Sequence, residues 1–183
     1  MNNLLAIDPG LNHAGVAYFV DDVLQRAWTI NPRDQPADAS GWVIIAEQIE
    51  EAIYPRSLGL YSIAYEMPQF LPGWQKGDQN AILQVAGAAG AIVQMLSRFC
   101  VSGVFPIAVR PSEWTKGRPK MVNHLRMWNR LSELEAKNLS GSLGIEPGVL
   151  LACIRNKDEA DLEHALDAVC IGLKVLDRFE RET

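Results

Sequence analysis

Short apolar runs bounded by turn residues occupy the beginning of the chain. The run from Leu4 to Ile7 is uninterrupted and ends at Asp8-Pro9-Gly10, so it predicts a strand buried on both faces. Residues 14–20 and 23–30 are strand-like runs joined at Asp21-Asp22, two residues that tolerate a tight turn. We therefore expect a first strand followed by a β-hairpin.

Helical and extended patterns alternate in the middle of the chain. Apolar residues recur at helical spacing from Trp42 to Ile53, and residues 60–65 form the next strand-like run. Residues 78–99 predict a long helix with a centre rich in glycine and alanine, and residues 104–109 predict a further strand. Alternation of this kind favours strands that run parallel in one sheet.

The last third of the chain predicts helices. We expect one helix from Pro119 to Lys137, an irregular stretch from Gly141 to Gly148, and a closing helix over residues 158–181 with an apolar stripe. The pattern assigns no purpose to residues 129–158. The order β-β-β-α-β-α-β-α-α predicts an α/β fold with a mixed five-stranded sheet, a parallel centre and helices on both faces.

Composition places the chain among ordinary globular domains. Its 183 residues are 48% apolar and 21% charged, and domains usually contain about 100–200 residues, so we expect a single domain over residues 1–183. Three cysteines without C-x-x-C spacing argue against a disulfide framework or a structural zinc site. The first apolar run is too short for a signal peptide, and no stretch approaches the roughly 18 apolar residues of a membrane span. These features predict a cytoplasmic protein that does not bind membranes.

Charge is distributed unevenly along this acidic chain. The net charge is −5, yet residues 110–130 carry six basic side chains against one acidic one, a net +5, which leaves −10 for the rest. The opposite extreme is the acidic run of residues 158–167. Each run alone is typical of a solvated helix face. A basic segment can also grip a polyanion through its phosphates.

Acidic residues follow two of the predicted strands. Asp8 ends the first strand and Glu66 ends the fourth, so both would lie at the same carboxyl edge if these strands are parallel neighbours, and ligands bind at that edge in open α/β sheets. His164 and Asp167 are three residues apart, which places them on one face of the closing helix. We therefore expect the four side chains to converge.

Each of these residues also has a purely structural interpretation. Aspartate at a strand end is a common turn residue, whereas a charged Glu66 that continues an apolar strand needs a cation or a donor. His164 could be an exposed helical histidine, which is the interpretation we favour for His13 and His124. Asp161 is a further candidate ligand, although it lies about 120° around the helix from Asp167.

Several carboxylates close together repel one another unless a cation lies among them. Hard oxygen ligands select Mg²⁺ or Mn²⁺, and a histidine tilts the preference towards manganese. Two such ions about 3.5–4 Å apart are a known device for phosphodiester hydrolysis, in which one activates water and the other stabilises the leaving oxygen. The basic segment would supply the contacts to phosphate. The two charge runs then form complementary parts of one site.

Four motifs in order along the chain carry a family resemblance. They are Leu5–Leu11 with Gly15–Ala17, Ile63–Glu66, Leu83–Val93 and His164–Ala168. They are similar to the first strand and hairpin, the second acidic strand, the Gly/Ala-rich helix and the closing helix of the RuvC-type Holliday junction resolvases, members of the RNase H-like superfamily. The resemblance extends over most of the chain and implies an RNase H-like fold.

Carried over by position, the resemblance implies a catalytic, metal-binding set of Asp8, Glu66, His164 and Asp167, with Lys120 as a further catalytic residue near the scissile phosphate. The cofactor that it implies is Mg²⁺, with two ions per site and Mn²⁺ as a substitute. The implied partner is four-way or branched DNA. Symmetric cleavage of such DNA needs paired sites, so we expect a homodimer with the Gly/Ala-rich helix as its interface.

The resemblance also suggests which residues touch the DNA. Lys116, Arg118 and Lys120 form the basic approach to the site. The family places an aromatic wedge shortly after the second acidic residue, and Phe70 and Trp74 are the candidates here.

The function that we favour is a divalent-metal-dependent, structure-selective endodeoxyribonuclease that resolves Holliday junctions or other branched DNA. Two alternatives remain open: a nuclease of the same superfamily acting on RNA–DNA hybrids or ribosomal RNA precursors, and a non-catalytic module that binds branched DNA. An actin- or sugar-kinase-like phosphotransferase also begins with an Asp-x-Gly turn, but 183 residues leave no room for its second phosphate-binding half.

Overall fold

A five-stranded mixed sheet forms the centre of the protein in a computed structural model that describes residues 3–31, 39–53, 61–68, 79–100, 105–156 and 162–179. The strands are β1 (Asn3–Pro9), β2 (Ala14–Val20), β3 (Val23–Ile30), β4 (Tyr61–Glu66) and β5 (Ile107–Val109). They lie in the order β3-β2-β1-β4-β5. β1, β4 and β5 are mutually parallel, whereas β1, β2 and β3 form an antiparallel meander. The predicted mixed sheet with a parallel centre is confirmed.

The hairpin has the boundaries that the sequence predicts. Asp21 and Asp22, which join β2 to β3, lie in the left-handed backbone region with φ of 47° and 66°. Positive φ at both central residues matches a tight turn to the twist of its strands, and aspartate tolerates this conformation. β5 is shorter than predicted: it begins at Ile107, directly after Pro106, whose nitrogen has no hydrogen to donate to a neighbouring strand. Residue 104 lies outside the described residues.

Helices cover both faces of the sheet, as predicted. They are α1 (Ala39–Ile53), α2 (Gln79–Leu96, continued by a 3₁₀ turn over Ser97–Phe99), α3 (Pro111–Thr115), α4 (Lys120–Trp128), α5 (Glu133–Leu143), α6 (Pro147–Asn156) and α7 (Glu163–Val175). α1 and α2 pack with Leu5 and Ile7 on one face, whereas α7 packs with Leu4 and Ala6 on the other. In the described ranges no helix has the length and apolar character needed to cross a membrane.

The prediction of one helix from Pro119 to Lys137 is wrong, because the chain turns between α4 and α5. The Ser132 hydroxyl accepts a hydrogen bond from the Glu135 backbone N–H, and the Glu135 carboxylate accepts one from the Ser132 backbone N–H. This reciprocal pair is a capping box, which starts a new helix. The stretch from Gly141 to Gly148 is likewise not irregular throughout, since it contains the end of α5 and the start of α6.

The closing helix is shorter than the predicted range of residues 158–181. α7 ends at Val175, and Asp177 then takes a left-handed backbone conformation with φ of 55°. Residues 157–161 and 180–183 lie outside the described part of the chain.

α7 approaches the sheet unusually closely. A Cβ atom added to Gly15 on β2 would lie 1.7 Å from the carbonyl oxygen of His164, so only glycine fits there. A Cβ on Gly172 would lie 2.2 Å from the Phe19 ring. Gly15 therefore allows the first turn of α7 to lie directly on the sheet, which brings His164 next to the end of β1, and Gly172 allows the last turn to pack on Phe19.

α5 lies along β3, the outermost strand on its side of the sheet. The Glu135 carboxylate accepts a hydrogen bond from the Leu24 N–H at 3.0 Å, and the Asn138 amide donates to the Leu24 carbonyl at 2.8 Å. The Ala27 N–H donates to the Ser142 hydroxyl at 3.1 Å. Part of the segment over residues 129–158, which had no assigned purpose, therefore binds the backbone of this strand.

Candidate active site

The pairing of β1 with β4 brings Asp8 and Glu66 to one edge of the sheet. The strands are parallel, with Ile7 opposite Tyr65, so Asp8 and Glu66 follow at adjacent positions at the carboxyl ends. Side chains alternate between the two faces of a strand. Because Ile7 packs on the side of α1 and α2, Asp8 points towards the side of α7. The predicted juxtaposition of the two acidic strand ends is present.

His164 enters this edge from the first turn of α7. Its Nδ1–H donates a hydrogen bond to Asp8 Oδ2 at 2.7 Å, which raises the pKa of the histidine. Burial raises the pKa of Asp8 by more than this hydrogen bond lowers it, and the charge of Asp167 raises it further. The imidazole of His13 stacks on that of His164, with ring centroids 5.5 Å apart.

Glu66 has one neutral hydrogen-bond donor and two acidic neighbours. The indole Nε1–H of Trp114, on α3, donates to Glu66 Oε2 at 2.8 Å. Burial and the charge of Asp8 raise the pKa of Glu66 to about 7, and the charge of Asp167 contributes in the same direction. The three carboxylates are therefore close enough to repel one another.

Asp167, one turn further along α7, is held by two donors from α4. His124 Nε2–H donates to Oδ1 at 2.8 Å, and the Lys120 ammonium donates to Oδ2 at 2.9 Å. Burial alone would raise the pKa of Asp167, but the hydrogen bond from His124 and the charge of Lys120 hold it below its ordinary value. Lys120 also forms an ion pair with Glu163.

Two histidines are less exposed than the sequence predicts, and one tryptophan of the site was not predicted. His124 is fully buried, which contradicts the interpretation as an exposed histidine, and His13 is only partly exposed and lies in the loop after β1 rather than on a helix. The spacing of Lys120 and His124 by one helical turn is a signal that could have placed both on the face towards Asp167. Nothing in the local sequence identifies Trp114 as a partner of Glu66.

The predicted DNA-contacting residues fall into two groups. Lys116 and Arg118 are exposed just before α4, where Lys116 and Gly117 both have positive φ, of 50° and 70°. Phe70 and Trp74, the candidate wedge residues, lie outside the described residues, as does the further candidate ligand Asp161.

The carboxylates of Asp8, Glu66 and Asp167 are suitable ligands for a hard divalent cation, although in this structure they accept hydrogen bonds from protein groups. Within the part of the chain that the structure describes, no three acidic, histidine or cysteine side chains are arranged as ligands of one ion. Asp8 is bonded to His164, Glu66 to Trp114, and Asp167 to donors from α4. A dication would relieve the repulsion from Asp8 and Asp167 that, after burial, raises the pKa of Glu66.

Comparison with solved structures identifies the fold. The RuvC of T. thermophilus in complex with a Holliday junction substrate superposes with a TM-score of 0.57 at 18% identity, over 95% of this chain and 92% of that one. A second T. thermophilus RuvC structure gives a TM-score of 0.50 at 20% identity, over 94% and 92% of the two chains. No protein-family model and no curated protein sequence matches. The chain therefore has the RNase H-like fold of RuvC.

Proposed function

We propose that this protein is a divalent-metal-dependent endonuclease that resolves Holliday junctions or other branched DNA. The observation that carries the proposal is the meeting of Asp8, Glu66 and Asp167, from two adjacent parallel strands and α7, within a fold shared with RuvC. One of the similar RuvC structures holds a Holliday junction substrate. Mutual repulsion among these carboxylates is a feature of sites that bind cations rather than of ordinary cores.

The residues that would hold the metal are Asp8, Glu66, His164 and Asp167. Mg²⁺, or Mn²⁺ in its place, would supply an activated water and stabilise the leaving oxygen, in the manner of sites with two ions. His164 orients Asp8 through its hydrogen bond. Trp114 orients Glu66 in the same way, so that both carboxylates are held at the sheet edge before substrate arrives.

Lys120 is the catalytic cation of the proposal. Its side chain is 51% exposed while its ammonium reaches the buried carboxylate of Asp167, so it lies between solvent and the acidic site. The charges of Asp167 and Glu163 outweigh burial and raise its pKa, which keeps it protonated. We assign to Lys120 the contact with the scissile phosphate, and to the exposed Lys116 and Arg118 contacts with neighbouring phosphates.

Two copies of the chain would serve the two strands of a four-way junction. α2, the Gly/Ala-rich helix, exposes 69% of Leu83, which makes this helix the candidate surface for pairing. A dimer with one site per copy matches the two-fold symmetry of such DNA. We propose that this activity takes place in the cytoplasm, because three cysteines without C-x-x-C spacing are typical of a reducing compartment.

A nicking assay on a synthetic four-way junction tests the proposal. We expect cleavage with Mg²⁺ or Mn²⁺, none with chelator, and slower cleavage of linear duplex and of an RNA–DNA hybrid. The Asp8→Asn variant should bind the junction nearly as well as the unaltered protein but not cut it, because Asp8 acts on the metal. Faster cleavage of the hybrid would favour the alternative nuclease, and junction binding without cleavage under any metal would favour the binding module.

A further inference from the structure

His124 lies in the region of the site, and the proposed function has not yet assigned it a role. It lies on α4 with none of its surface exposed, and its Nε2–H donates to Asp167 Oδ1 at 2.8 Å. A buried polar ring needs such a partner, since an unpaired polar group in the interior is costly. The contact joins two helices, α4 and α7, that are 43 residues apart at this point.

The two donors to Asp167 differ in how firmly they are held. Lys120 has a flexible side chain that is 51% exposed, and it divides its ammonium between Asp167 and Glu163. His124 is fully enclosed and has a planar ring with little freedom to move. The bond to Oδ1 is therefore the fixed one. The bond to Oδ2 is exchangeable, because a substrate phosphate can accept from the Lys120 ammonium while another cation binds Oδ2.

We infer that His124 is a positioning residue for the acidic site. It fixes the carboxylate plane of Asp167 by holding Oδ1, so that Oδ2 is presented to a cation. In this structure that cation is the ammonium of Lys120. The inference rests on the proposed function, because it assigns Asp167 to the metal site. Residues that orient a metal ligand in this way typically increase metal affinity or activity by roughly 10- to 100-fold.

Substitutions at His124 separate positioning from packing. His124→Leu fills the space with an apolar side chain and removes the donor, whereas the amide nitrogen of His124→Gln can take the place of Nε2. We expect His124→Leu to weaken Mn²⁺ binding about tenfold, measured by calorimetry without DNA, and to lower kcat more than junction affinity. We expect His124→Gln to recover most of both.

Met127→Leu is the matched control, because Met127 is also fully buried on α4 but its thioether side chain has no hydrogen to donate. It should leave Mn²⁺ affinity unchanged. Thermal unfolding is measured for each variant to check that it folds. If His124→Leu does not fold, His124→Asn takes its place, since the shorter asparagine side chain cannot reach Oδ1.

Two results would overturn the inference. The first is that His124→Leu, or His124→Asn in its place, has the Mn²⁺ affinity and kcat of the unaltered protein. The second is that His124→Gln loses as much Mn²⁺ affinity and kcat as the variant without a donor. Failure of the unaltered protein to bind Mn²⁺ or to cut a junction would instead overturn the proposed function.

Discussion

Glu66 and Glu135 are two glutamates in different parts of the molecule whose carboxylates have little contact with solvent. Their hydrogen-bond donors and charged neighbours shift their pKa values in opposite directions. Glu66 has the Trp114 indole as its hydrogen-bond donor, and burial together with the charges of two neighbouring carboxylates raises its pKa to about 7. Burial would also raise the pKa of Glu135, but hydrogen bonds lower it to about 2. The same side chain is thus poorly neutralised at one place and fully neutralised at the other.

The partners of Glu135 explain its low pKa. Arg178 donates to both carboxylate oxygens, at 2.6 and 2.8 Å, which is the two-pronged arrangement that suits a guanidinium. The backbone N–H groups of Leu24 and Ser132 donate at 3.0 and 2.9 Å. The Ser132 hydroxyl donates as well, at 2.9 Å, so five donors from three residues satisfy this carboxylate.

The difference distinguishes a structural acid from a candidate functional one. Glu135 joins α5 to β3 and to Arg178 in the segment after α7, and a carboxylate held in this way contributes to stability. Carboxylates that raise one another's pKa cost stability unless a cation is added, and proteins retain such arrangements where chemistry requires them. Substitution at the two places should therefore have opposite effects on stability and on cleavage.

Glu66→Gln should have the largest effect on cleavage and little on stability. The amide keeps an oxygen for the Trp114 indole but removes the charge that the metal needs, so we expect the rate of junction cleavage to fall by about 10³-fold or more. The melting temperature without metal should stay the same or rise, because repulsion with Asp8 is relieved. A marked loss of stability together with normal cleavage would reverse our assignment of the two regions.

Glu135→Ala should show the opposite pattern. Removing one partner of a buried ion pair leaves Arg178 and the Leu24 N–H unsatisfied and costs about 3–5 kcal/mol of the free energy of unfolding. For a chain of this size, that corresponds to a drop in melting temperature of about 10 °C. Urea unfolding measures the loss, and the cleavage rate per folded molecule should not change. An inactive but stable variant would contradict the comparison.

Acid should remove the stabilisation that Glu135 contributes. Its pKa of about 2 lies below the ordinary value of 4.5, so the contribution is complete above about pH 4.5 and is lost as the pH falls towards 2. The difference between the two values corresponds to about 3 kcal/mol. We expect the gap in unfolding free energy between the unaltered protein and Glu135→Gln to narrow by about that amount over this range. A gap independent of pH would mean that Glu135 is not held in its charged form.

The sheet and the acidic strand ends could be predicted from the sequence because their signals are local. Asp8 marks the end of the first apolar run, and the Asp21-Asp22 turn marks the boundary between β2 and β3. Parallel pairing of β1 and β4 then brings Asp8 and Glu66 together. The start of α5 has a local signal as well, the spacing of Ser132 and Glu135, which the helical periodicity from Pro119 to Lys137 conceals.

The donors to the acidic site could not be predicted in the same way. Trp114 reaches Glu66 across 48 residues, and His124 reaches Asp167 across 43, so their roles depend on how α3 and α4 pack against the sheet and α7. A histidine on a helix has the same appearance in the sequence whether it faces solvent or a carboxylate. Burial decides between the two, and only the packed structure supplies it.

The side chains of α5 that bind the backbone of β3 have a consequence for how copies of this protein meet. A bare outer strand is a template on which other polypeptides can extend a sheet, and natural proteins block such templates to avoid aggregation. With Leu24 and Ala27 already bonded to α5, β3 cannot easily accept an intermolecular strand at these positions. Association on this side would have to be built from side-chain surfaces, which can match one specific partner.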